Sequence, residues 1–235
     1  MNGRTHDERP MHILDGLVSG PINAATYLVS GVAVAVSVAR SRRTLEERQV
    51  PLLGVTSAFV FAAQMLNFPI AGGTSGHFLG GVLSAVMLGP ANACLILFLV
   101  LLVQCLGFAD GGITALGSNF FNMGLVGAVG GYAIFRALVA VLPRGRTTFL
   151  AAVAIASWCA VVGGAAACAV ELGLSGKMPM GVALAAMVGV HALIGIGEAL
   201  ITSVVVSTVM VARPDLIQAW RRLAPPAAAL SPAAT

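Results

Sequence analysis

The residues best able to hold a metal ion are a few histidines set into polar breaks of an otherwise apolar chain. One break runs Asn67-Phe-Pro-Ile-Ala-Gly-Gly-Thr74-Ser75-Gly-His77-Phe-Leu-Gly-Gly. Its glycines permit a tight, irregular backbone path, and the hydroxyls of Thr74 and Ser75 can satisfy the loop's own peptide groups. His77 falls where this loop meets the next apolar segment. By position alone it is either a ligand-holding imidazole or a plain helix-start histidine. A second histidine stands in Met11-His12-Ile-Leu-Asp15-Gly16. If the mature chain begins at Met11, three of its nitrogens can chelate one divalent ion: the α-amine, the deprotonated backbone nitrogen of His12 and Nδ1 of His12. A nitrogen of His77 would complete a plane. Four nitrogens in a plane suit Ni(II) or Cu(II), whereas Zn(II) prefers a tetrahedron.

Two further stretches are polar against the Ala/Val/Leu background. The first runs from Gln104 to Gly124 and includes Asp110, Asn119 and Asn122. Asp110 offers a negative charge to an arriving cation. The amides of Gln104, Asn119 and Asn122 are suited to tying an irregular loop to helix ends and to orienting a histidine. The second holds His191 and Glu198, seven residues apart. On a helix they share a face but stand about 10.5 Å apart, too far to grip one ion together from a straight helix. The expectation is a polar inner face on which each bonds to another helix. Glu171, near a helix end, can reach the membrane interface.

These residues need a scaffold, and composition names it. Of 235 residues 58% are hydrophobic and 9% charged, against about 25% charged in ordinary soluble domains. The chain is expected to be all-α, a polytopic membrane protein. Its formal charge of +4 is spread over loops and is no signal for nucleic acid. Cys94, Cys105, Cys159 and Cys168 fall inside apolar segments without metal-type spacing and read as small packing residues. No cleavable secretory signal is evident.

With about 20 apolar residues needed to cross a bilayer, the pattern predicts seven transmembrane helices, roughly 22–40, 51–68, 77–89, 91–108, 121–142, 149–172 and 181–212. Basic residues supply an independent check. Arg40, Arg42, Arg43, Arg48, Arg136, Arg144, Arg146, Arg213, Arg221 and Arg222 fall on one side of a seven-helix layout, leaving Arg4, Arg9 and Lys177 on the other. The positive-inside rule then places the N-terminus outside and the C-terminus in the cytoplasm. Loops 69–76 and 109–120 would face outward, free of lysine and arginine. Three regions are expected: a polar extension over 1–10, read as a misassigned start; a single transmembrane metal-capture domain over 11–212; and a disordered cytoplasmic tail over 213–235, mostly Ala, Pro and Ser from Ala224 on.

The motifs in series resemble the CbiM/NikM family, the substrate-capture membrane subunits of energy-coupling-factor transporters for cobalt and nickel. The resemblance is carried by Met11-His-Ile-x-Asp-Gly, Asn67-Phe-Pro-(x)4-Gly-Thr-Ser-Gly-His77-(x)2-Gly-Gly, Leu88-Gly-Pro, Gln104-(x)5-Asp110-Gly-Gly, Leu116-Gly-x-Asn119-(x)2-Asn122-Met-Gly and His191-(x)3-Gly-x-Gly-Glu198-(x)2-Ile-Thr. They occur in order over about residues 11–210. The resemblance implies seven helices with an outside N-terminus and an N-terminal segment folded into the external mouth. It implies metal ligands from Met11, His12 and His77; beside these, Asn67, Thr74, Ser75, Asp110, Asn119 and Asn122 are expected around the pocket, with His191 and Glu198 as further candidates. It implies Ni(II) or Co(II) as transported substrate, no organic cofactor and no enzymatic activity. The implied partners are a coupling transmembrane subunit, ATPase subunits and a small accessory membrane subunit, in a prokaryotic plasma membrane. The residues contain no G-x-x-x-x-G-K-[ST] phosphate loop, so ATP hydrolysis is expected from other subunits. One departure stands out. Met1 to Pro10 precede Met11 and, if retained, remove its free amine; translation beginning at Met11 is the expectation, with His6 the substitute donor otherwise. The competing expectation is an intramembrane zinc hydrolase built on His77, His191, Glu198 and Asp110.

Overall fold

The computed structural model of the chain describes residues 12–65, 67–69 and 75–223, with 67–69 and 75 described by their backbone alone. Helix α1 (Gly20–Thr44) opens with a proline in its first turn and closes with Arg42 and Arg43 in its last, both favourable placements. Its buried residues are Thr26, Ser30, Ser37 and Ser41, while Leu28 is 70% exposed and Val32 57%. This helix is inside-out relative to a soluble one. Small hydroxyl residues face the protein and bond across it, Ser30 Oγ to Gly117 O at 2.8 Å and Ser41 Oγ to Asn92 Oδ1 at 2.7 Å, and aliphatic side chains face outward, as in a lipid-exposed span.

A 3-10 turn (Glu47–Gln49) leads into α2 (Val50–Gln64). Strands β1 (Asn67–Pro69) and β2 (Ser75–His77) pair antiparallel, with Asn67 opposite His77. Helices α3 (Gly81–Leu88) and α4 (Pro90–Phe108) abut at Gly89, and every residue of α3 is buried. Helix α5 (Leu116–Phe120), a π-helical stretch (Phe121–Gly130) and α6 (Gly131–Val141) run on as one 26-residue helix. Helices α7 (Arg146–Leu174) and α8 (Met180–Ala212) follow, then a 3-10 turn (Pro214–Leu216) and α9 (Gln218–Leu223). The largest core cluster is centred on α3, α4 and the facing sides of α6 and α7.

Among the described residues five helices are long and apolar enough to cross a membrane: Gly20–Thr44, Pro90–Phe108, Leu116–Val141, Arg146–Leu174 and Met180–Ala212. Of the predicted segments, 51–68 stops at Gln64 and 77–89 starts only at Gly81. Both are therefore shorter than a full crossing. The expected all-α description also needs a small hairpin added. His77 is a strand residue rather than the first residue of a helix, because Gly80 has φ +73°, a left-handed conformation that interrupts helical winding before Gly81. The tail is not disordered over 213–223. Ile217 is fully buried and Trp220 stacks edge-on against Phe149, ring centroids 5.2 Å apart, so α9 is packed in place. Residues 224–235 lie outside the described residues.

Candidate metal centre

The segment 12–15 lies across loop 109–119 and is stitched to it by backbone-specific bonds. Asn119 accepts the Ile13 N–H at 3.0 Å through Oδ1 and donates to the Ile13 carbonyl at 3.1 Å through Nδ2. The Gly112 N–H reaches that same carbonyl at 2.9 Å. Two residues on, the Asp15 carboxylate accepts from the Thr114 N–H at 2.7 Å and its hydroxyl at 2.6 Å, and these bonds hold its pKa below the usual carboxylate range. The approach is close enough that a Cβ on Gly112 would collide with the Asp15 backbone nitrogen and carboxylate. We expect Gly112→Ala to lift this segment away and weaken metal binding about 10- to 100-fold, the usual effect of disturbing a group that supports a ligand. Titration calorimetry on the purified protein would check it.

This stitching brings His12 beside His77. Their rings meet edge to face with centroids 4.7 Å apart, and both side chains are buried. Hydrogen bonds fix which nitrogen of each stays open. His77 Nδ1 lies 2.9 Å from the Phe78 carbonyl, which can only accept, so Nδ1 carries the proton and Nε2 keeps its lone pair. His12 Nε2 lies 2.9 Å from Gln104 Oε1; donating there, it leaves Nδ1 open. The backbone N–H of His12 points to Asp110 Oδ1 at 3.4 Å. Asp110 Oδ2 is 4.0 Å from His12 Nε2. Burial drives the His12 pKa down to about 4; burial, then the neighbouring His12, drives that of His77 to about 3. Both rings are therefore neutral at pH 7, the state in which imidazole ligates metals. In the unfolded chain they regain an ordinary value of about 6.5 and bind protons first. The metal-free protein should thus lose stability as pH falls from about 6.5 to about 3, and a thermal-unfolding series across that window would show it.

Of the other expected pocket residues, Asn119 acts on the His12 segment as described and Gln104 on the His12 ring. Asn122 turns elsewhere, donating to Glu171 Oε2 at 2.9 Å. Asn67 is placed through its backbone opposite His77. The side chain of Ser75, the whole of Thr74 and the whole of Met11 lie outside the described residues. His191 is bound to its own helix, Nδ1 to Met187 O at 2.7 Å, rather than to a neighbouring one. Glu198 does reach across: its two carboxylate oxygens accept the backbone N–H groups of Leu79 at 2.7 Å and Gly80 at 2.9 Å. No group of three or more His, Cys, Asp and Glu side chains converges on one point among the described residues; the chemistry available there is two neutral imidazoles beside a backbone segment. What sequence reasoning missed was the Gln64 amide, which donates to the Leu79 carbonyl at 2.9 Å. An uncharged glutamine at a helix end carries no distinguishing signal.

Comparison with known proteins points the same way. A family profile described as CbiM, cobalt uptake substrate-specific transmembrane region, matches residues 12–216. The "Putative fused nickel transport protein NikMN" of Archaeoglobus fulgidus is 42% identical over 210 residues, covering 88% of this chain and 68% of the relative. The fused nickel transport protein NikMN of Rhodobacter capsulatus is 32% identical over 230 residues, covering 92% and 66%. A crystal structure described as a truncated transition metal transporter superposes with a TM-score of 0.79 at 33% identity, covering 85% of this chain and 98% of the other.

Proposed function

Since the chain belongs to the CbiM family of cobalt-uptake transmembrane regions, we propose that it is the substrate-binding membrane component of an energy-coupling-factor importer for Ni(II) or Co(II). Within the membrane it forms seven spanning or partly spanning helices, α1, α2, α3, α4, α5 to α6, α7 and α8, with the N-terminus outside. The ion is the cargo. It is held by the α-amine of Met11, the backbone nitrogen and Nδ1 of His12, and Nε2 of His77.

The observation that carries this reading is the 4.7 Å approach of the His12 and His77 rings, each with one ring nitrogen tied to the protein and the other left open among the described residues. Asp110 sits beside the His12 N–H, where its charge draws a dication in and its carboxylate stands ready to accept the proton that the metal displaces. A coupling transmembrane subunit, ATPase subunits and a small accessory membrane subunit would complete the importer and supply ATP hydrolysis.

The test is the metal content of the protein purified with its natural N-terminus after exposure to nickel or cobalt. About one ion per chain, with the visible absorption of a planar nitrogen-bound nickel, is expected. A chain that retains no ion, or holds nickel in an all-oxygen environment, overturns the reading.

A further inference from the structure

We propose that Glu198 is a positioning residue for His77, acting with Gln64 through two consecutive peptide planes. The inference rests on the reading of His77 as a nickel or cobalt ligand.

The first plane joins Phe78 to Leu79. At one end its carbonyl accepts from His77 Nδ1 at 2.9 Å, and at the other its N–H donates to Glu198 Oε2 at 2.7 Å. The second plane joins Leu79 to Gly80. Its carbonyl accepts from Gln64 Nε2 at 2.9 Å, and its N–H donates to Glu198 Oε1 at 2.9 Å. Peptide units are rigid and flat, so neither plane can turn without breaking a bond at each end. The angle of the imidazole is thereby referred to a carboxylate on α8 and an amide on α2, Glu198 being 3% exposed and Gln64 fully buried.

Ionisable side chains at membrane depth are costly and face the protein interior when they occur. Here the carboxylate accepts two backbone donors that the break before α3 leaves without helical partners. Metal-bound histidines commonly donate their second nitrogen to a carboxylate, which orients the ring and raises its donor strength. In this chain a peptide group stands between the two. The carboxylate polarises the Leu79 N–H, which makes the Phe78 carbonyl a better acceptor for His77.

The test is nickel affinity and the visible spectrum of bound nickel in the full chain with its natural N-terminus, for Glu198→Gln, Glu198→Asp, Gln64→Met and His77→Ala. A glutamine at 198 presents an NH2 group to one of the two backbone donors, so one bond is lost. The expected result is a 10- to 100-fold weaker Kd with an altered nickel spectrum. Glu198→Asp keeps the carboxylate and should recover part of both. Gln64→Met keeps side-chain size, loses one hydrogen bond and should weaken binding about two- to tenfold. Wild-type affinity and spectrum in Glu198→Gln overturn the proposal while loss of binding in His77→Ala leaves the metal reading standing. Should Glu198→Gln fail to insert, wild-type behaviour of both Glu198→Asp and Gln64→Met overturns it instead. Unchanged binding in His77→Ala would refute the underlying metal reading.

Discussion

Replacing His77 by alanine should remove tight metal binding while leaving the protein folded in the membrane. In four-ligand zinc-finger peptides the ion is held by about 10–16 kcal/mol. An equal share for one nitrogen is about 2.5–4 kcal/mol, which is about two to three orders of magnitude in Kd. The fold should survive because the ring's hydrogen bond is to its own neighbour, the Phe78 carbonyl. The Phe78–Gly80 backbone keeps its ties to Glu198 and Gln64. Calorimetric titration with nickel, beside size-exclusion profiles in detergent, gives both readouts. Binding within threefold of wild type would remove His77 from the ligand set.

The second large effect concerns Met11. A free α-amine is a strong donor for a dication, whereas a peptide nitrogen binds only after losing a proton it holds far more tightly. The chain beginning at Met11 should therefore bind nickel at least about a hundredfold more tightly than the chain retaining residues 1–10, one ligand's share as reckoned above. Intact-mass measurement identifies the form present, and titration of each form compares them. Equal affinities would exclude the amine and direct attention to another donor such as His6.

Much of the scaffold was legible because apolar runs of helical length are a composition signal. The five long helices all coincide with predicted segments. The break around His77 was legible as a loop but not as a hairpin. Neither N-F-P nor S-G-H shows strand alternation, and the apolar pair Phe78-Leu79 extends the helical pattern backward past Gly80. The approach of His12 to His77 followed from resemblance rather than spacing, since they stand 65 positions apart in the sequence. Glu198 stood out as a carboxylate inside a span, yet its partners are backbone amides 119 and 118 positions away, and an amide has no letter of its own. Asn122 illustrates the converse: it shares a motif with Asn119, but one helical turn sends it to Glu171. The packed end at Trp220 was missed because a short basic helix beside an alanine- and proline-rich terminus reads as more of the same.

The shortness of α3 carries a consequence for the journey of the ion. Eight helical residues rise about 12 Å, well under half of a hydrocarbon layer about 30 Å thick. Non-helical backbone is tolerated at that depth only when enclosed by protein, and Phe78, Leu79 and Gly80 are all buried. A captive dication at His77 would thus already be sunk part-way through the bilayer, with only a thin septum beneath it, so a modest rearrangement of the helices lining that septum would be enough to open the opposite side.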